Sequence, residues 1–107
     1  MLYKFKSKAD GDVIMTSAVG DRIVEILGRP PGQPGTVTAA QAPDAVATLQ
    51  AAADAEDAHW ARVQDEARAA GEPVPPRPTP TLRHRIHPLL GLLRAAHAAD
   101  EPVVWGV

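Results

Sequence analysis

Proline placement constrains this chain more than any other feature. Prolines 30, 31 and 34 are interleaved with Gly32 and Gly35, and prolines 73, 75, 76, 78 and 80 crowd the stretch that begins at Gly71. Proline has no amide donor and glycine carries a high ordering entropy, so neither stretch can hold a helix or the interior of a sheet. The first is expected to be a loop with Thr36-Val37-Thr38 as a short edge strand, and the second an extended, semi-rigid connector. Apart from that short edge strand, folded elements must therefore come from three segments: the N-terminal 28 residues, residues 43–70, and the chain from Thr81 onward.

In the first segment, residues 1–6 alternate, with Met1, Tyr3 and Phe5 on one side and Lys4 and Lys6 on the other. That is the period of a half-buried strand. Asp10-Gly11 matches the chemistry of a tight hairpin turn, and Val13-Ile14-Met15 supplies the returning strand. Thr16 or Ser17 can cap a helix whose residues Val19, Ile23, Ile26 and Leu27 share one face, and Gly28 is placed to end it.

The second segment, Pro43 to Ala70, is alanine-rich and predicts one long helix, with proline suited to its first turn. Val46, Leu49, Ala53, Trp60, Val63 and Ala67 follow a 3-4-3-4 spacing in which Glu56 takes the missing place. At about 1.5 Å per residue such a rod would be roughly 42 Å long, so it must bend or project. From Thr81 a second amphipathic helix carries Leu82, Ile86, Leu89, Leu90, Leu93 and Ala96 on one face, and Pro88 predicts a kink or a fresh helix start near His87. The two seams pair most simply as an antiparallel helical hairpin. Pro102 stops the second helix, and Val103 to Val107 reads as a strand that must join the N-terminal hairpin. The fold class expected over residues 1–107 is a single α+β domain: a small, mainly antiparallel sheet packed against a short helix and a helical hairpin.

Composition narrows partners more than function. Of the 45% hydrophobic residues, 20 are alanines, so the core is thin and a second copy would be a natural source of further burial. A net charge of −2 favours neither nucleic acid nor an anionic membrane. With no cysteine, a disulfide framework, a thiolate nucleophile and Cys-ligated metals are excluded. No window suits a signal peptide or a membrane span, so a cytoplasmic location is expected.

Candidate chemistry is sparse. His84 and His87 lie one helical turn apart and are the candidate metal ligands, but His97 falls at another angle, no carboxylate supports them, and solvated surface histidines are the plainer reading. Arg77, Arg83, Arg85 and Arg94 with Lys4, Lys6 and Lys8 are the candidate phosphate-binding cluster. Arg83 and Arg85, however, flank the apolar face rather than forming a stripe, and their stems suit covering a core. The hairpin lysines read as edge protection against aggregation. Asp54, Glu56 and Asp57 read as solubilising residues on an alanine-rich helix, and Asp10 with Asp12 as turn residues. No catalytic constellation assembles and no cofactor is implied. Trp60, alone among small residues, is a core anchor for the opposing helix or an insertion into a partner. The leading expectation is an interaction or structural domain that presents its helices to a protein partner or a second copy, with Trp60, Arg83 and Arg85 as interaction residues. A metal- or small-ligand module at His84 and His87 comes next, and nucleic-acid binding third.

Leu2-Tyr3-Lys4-Phe5-Lys6-Ser7-Lys8, the following Gly11-Asp12-Val13-Ile14-Met15, the Leu82 to His97 segment around Pro88-Leu89-Leu90, and the ending Glu101-Pro102-Val103-Val104-Trp105-Gly106-Val107 resemble the bacterial domain-of-unknown-function family numbered 1840. The resemblance spans essentially the whole chain. It implies a stand-alone bacterial domain and brings no catalytic or binding residues.

Overall fold

A computed structural model describes residues 2–106, so Met1 and Val107, read above as strand residues, lie outside the described residues. The chain runs β1 (Leu2–Ser7), β2 (Asp10–Thr16), α1 (Ser17–Ile26), β3 (Gly35–Val37), α2 (Ala42–Ala69), α3 (Leu82–Ala98) and β4 (Val103–Trp105). The strands form one antiparallel sheet in the order β2-β1-β4-β3. The expected α+β architecture, with the C-terminal strand beside the hairpin, is what forms.

Alternation decides which side of the sheet is covered. Tyr3 and Phe5 of β1 pair with Met15 and Val13 of β2, and Val103 and Trp105 of β4 pair with Val37 and Gly35 of β3, all on the inner face. Phe5 lies between Tyr3, stacked on it at 5.9 Å between ring centroids, and Trp105, tilted against it at 5.5 Å. Fully burying each such ring or a leucine contributes about 1.5–3 kcal/mol, so this row and the α3 leucines carry most of the core. A Cβ on Gly20 of α1 would stand 2.0 Å from the Tyr3 ring, and one on Gly35 would stand 2.2 Å from the Trp105 indole, so both aromatics need a bare backbone to lie against. The opposite face, with Leu2, Lys4, Ile14, Thr16 and Thr36, is exposed.

The helices start and stop by local chemistry. Thr81 caps α3, its hydroxyl accepting from the His84 amide at 3.2 Å. Ahead of α2, Thr38 and Gln41 cap each other reciprocally, with the Thr38 N–H donating to Gln41 Oε1 and the Gln41 N–H donating to Thr38 Oγ1. At each C-terminus a left-handed residue turns the chain out, Gly28 after α1, Gly71 after α2 and Asp100 after α3, and the following amide returns to a carbonyl five residues back.

α1 and α3 cover the inner face of the sheet, and α2 packs on both, antiparallel to α3. α2 buries Ala42, Ala45, Leu49 and Ala53, and is half-buried or exposed beyond them, so its end projects and the molecule reaches 52 Å along its long axis. The proline connector runs back along this end, where the Gln64 side-chain amide donates to the Pro75 carbonyl at 3.1 Å.

Three expectations are corrected. The turn is Lys8-Ala9, stabilised by the Ser7 hydroxyl accepting from the Ala9 amide. Asp10-Gly11 lies inside β2, where a bulge between the Phe5 and Ser7 pairings absorbs the extra residue. α3 is continuous through Pro88, so no fresh helix start occurs at His87, and His84, whose carbonyl loses its intrahelical partner to the proline, is exposed. Lys4 and Lys6 do not guard an edge, since β1 lies between β2 and β4.

Candidate functional site

Two polar assemblies and one open groove stand out. The first assembly joins the middle of α2 to the start of α3. Glu56 occupies the polar gap in the α2 seam, and its side chain is only 18% exposed. Its Oε2 accepts from the Leu82 amide at 2.8 Å and from Arg77 Nη2 at 3.2 Å, while Oε1 accepts from Arg22 at 2.9 Å. Asp57 accepts from Arg77 at 2.5 Å and from Arg83 at 2.8 Å, and Arg83 also donates to Asp54 at 2.5 Å. Partial burial pushes the Glu56 carboxyl upward, but the Leu82 amide and the Arg22 and Arg77 guanidiniums outweigh it and hold the group below the ordinary carboxylate value. Hydrogen bonds from Arg77 and then Arg83 hold Asp57 down as well. The reading of these three acids as solubilising residues is thus corrected: they join α1, α2, the connector and α3. Every charge here has a partner, which suits cross-linking better than ligand capture.

In the second assembly, the Tyr3 hydroxyl donates to Asp21 Oδ1 at 2.5 Å and accepts from the Gly32 amide at 2.8 Å, tying the first proline loop to β1 and α1. Burial, followed by the Asp21 carboxylate, raises the phenol pKa above its ordinary value. A neutral, doubly bonded phenol in this position is a structural post.

The groove lies between the β2 edge and the first half of α3. Its volume is about 440 Å³, and its walls include Val13, Met15 and Val19 on one side and His84, Arg85 and Pro88 on the other. Among the described residues β2 pairs with β1 alone, which leaves its second edge open.

The residues singled out from sequence scatter across these features. Arg83 belongs to the ion-pair assembly, whereas Arg85 is exposed in the groove and bonds to no carboxylate among the described residues. His84 and His87 are exposed, and His97 is remote from them in function, its Nδ1 lying 2.8 Å from the Ala39 carbonyl. Among the described residues no group of three His, Cys, Asp or Glu side chains could hold a metal ion. Trp60 is half-buried on the projecting part of α2, outside the core and edge-on to His59, so it does not anchor the opposing helix. α3 begins opposite Glu56, one turn short of it. No described helix is long and apolar enough to cross a membrane.

A four-stranded antiparallel sheet with helices on one face, an open outer face and one unpaired long edge defines the chain as a small α+β domain. It belongs to the family described as Domain of unknown function (DUF1840), whose model matches residues 1–105. No curated protein and no solved structure matches it.

Proposed function

We propose that this is a protein-interaction domain that takes an extended segment of a partner protein onto the free edge of β2. The single observation behind this reading is the contrast between the two sheet edges. β3 is three residues long and preceded by Pro34, the usual devices that blunt an edge. β2 is seven residues long, and its Val13-Ile14-Met15-Thr16 half has neither charge nor proline. An edge of this kind offers unpaired backbone groups to another strand, and the adjoining groove offers pockets for every second side chain. The α2 seam packs against α3 and, beyond it, meets the charged assembly and the connector, which favours the sheet edge over the helices as the partner surface. A cysteine-free chain with this role suits the reducing cytoplasm.

The test is a display selection of random nine-residue peptides against the full chain, repeated on Ile14→Lys. Ile14 is 55% exposed, so lysine there charges the edge without emptying the core. Peptides that bind the native chain and lose the variant are expected. If none of the selected peptides depends on Ile14, the reading fails.

A further inference from the structure

We infer that the strand accepted by β2 carries an acidic side chain on its groove-facing side, held by Arg85 between apolar residues. The inference rests on the strand-addition reading above and adds the chemistry of the partner. A strand laid beside β2 directs alternate side chains into the groove, toward Val13, Met15 and Val19 below and Pro88 across. Among the described residues Arg85 is the one of fixed charge that lines this groove.

Its place beside the open β2 edge is what distinguishes it. Arg22, Arg77 and Arg83 all spend their donors on α2 carboxylates. Arg85, two residues from Arg83 on the same helix, points the other way and has no such partner among the described residues. A guanidinium beside an apolar trough recognises a carboxylate flanked by aliphatic groups.

The acids nearest the edge set a boundary on where that carboxylate sits. Asp10 and Asp12 are exposed at the hairpin end of β2, so an acidic strand residue is repelled there and drawn toward the helix side. A second copy fits less well. Pairing two β2 strands antiparallel about a two-fold axis merges the two grooves on one side of the joined sheet and brings two Arg85 side chains of like charge to that side.

Two labelled nine-residue peptides of alternating valine and threonine, differing only in a central glutamate or lysine, test this by fluorescence anisotropy on the full chain. The glutamate peptide is expected to bind about fivefold tighter or better at low salt, with the advantage shrinking as salt rises. Arg85→Glu, an exposed change that breaks no ion pair, is expected to invert the order of the two peptides. Equal affinities on the native chain, or a ratio unmoved by Arg85→Glu, overturn the acidic preference while strand addition stands, provided binding still requires Ile14. No binding of either peptide at about 1 mM, the limit of weak recognition, overturns both. A concentration-dependent dimer in sedimentation that Ile14→Lys dissolves, with neither peptide bound, assigns the edge to a second copy and overturns the inference.

Discussion

Replacing Glu56 separates the two tasks that its carboxylate performs. In Glu56→Ala the Leu82 amide loses its acceptor, and because Leu82 is only 2% exposed that donor has poor access to water. An unsatisfied buried donor costs about 1–3 kcal/mol. Arg22, whose side chain is 53% exposed, returns to solvent at a cost of no more than about 0.5 kcal/mol. The total expected is about 1–3.5 kcal/mol, which lowers the melting temperature by roughly 4 °C or more for a domain of this size. Glu56→Gln keeps an acceptor for Leu82 and gives up the charge, so its cost is about 1 kcal/mol. Urea and thermal unfolding of the three proteins at neutral pH measure both numbers. Equal losses for the two variants would refute the assignment of the larger share to the Leu82 amide, and a loss under about 0.5 kcal/mol in Glu56→Ala would refute the role altogether. The pH dependence has a definite sign. Since the folded carboxyl titrates below its ordinary 4.5, its contribution is fully present above that value and disappears as pH falls through the folded value. Glu56→Ala should therefore lose stability less steeply than the native protein as pH drops below about 4.5.

Tyr3 titrates in the opposite sense: its raised pKa means the folded state favours the neutral phenol, so stability present below pH 10 is lost as pH climbs past it. Tyr3→Phe should flatten that alkaline loss and cost about 1–2 kcal/mol at neutral pH by removing the hydroxyl's bonds to Asp21 and Gly32, and an unchanged alkaline limb would count against the phenol. Asp100 holds φ +54° in the position that glycine fills after α1 and α2. Asp100→Gly should raise stability by about 0.5–1 kcal/mol in urea unfolding, and a loss of stability would show that the aspartate side chain contributes more than its backbone strain costs.

Elements governed by local pattern were legible, and those governed by meetings between distant residues were not. Alternation at Tyr3 and Phe5 placed β1, and proline with glycine placed both ends of α2 to within a residue. The hairpin turn slipped because the Ser7 hydroxyl competes for the Ala9 amide, which makes Lys8-Ala9 the turn despite the better turn chemistry of Asp10-Gly11. The Thr38-x-x-Gln41 capping pair was present in the sequence but masked by reading Thr38 as strand. Leu92 lies off the narrow face that Leu82 defines. It is buried because α3 is covered by the sheet on one side and α2 on the other, which widens its apolar arc to about 160° at 100° per residue. The partners of Glu56 lie 21 to 34 positions away, at a separation where helical periodicity carries no information.

The same division explains why the groove escaped a reading by residue type. Its ingredients, an uncharged Val-Ile-Met-Thr run, a helix-interior proline and an arginine that flanks an apolar face, each have ordinary explanations on their own. They acquire a joint meaning only when topology puts β2 at the edge and lays the Arg85 face of α3 beside it. Among the described residues, Ile14 is a large hydrophobic side chain left more than half exposed on that strand, and Arg85 forms no ion pair there. Neither residue is needed to hold the fold, which makes stability and binding separable at this edge. A lysine at position 14 or a glutamate at position 85 should leave the unfolding midpoint nearly unchanged, within about 0.5 kcal/mol, as expected of exposed sites, while altering what the edge accepts.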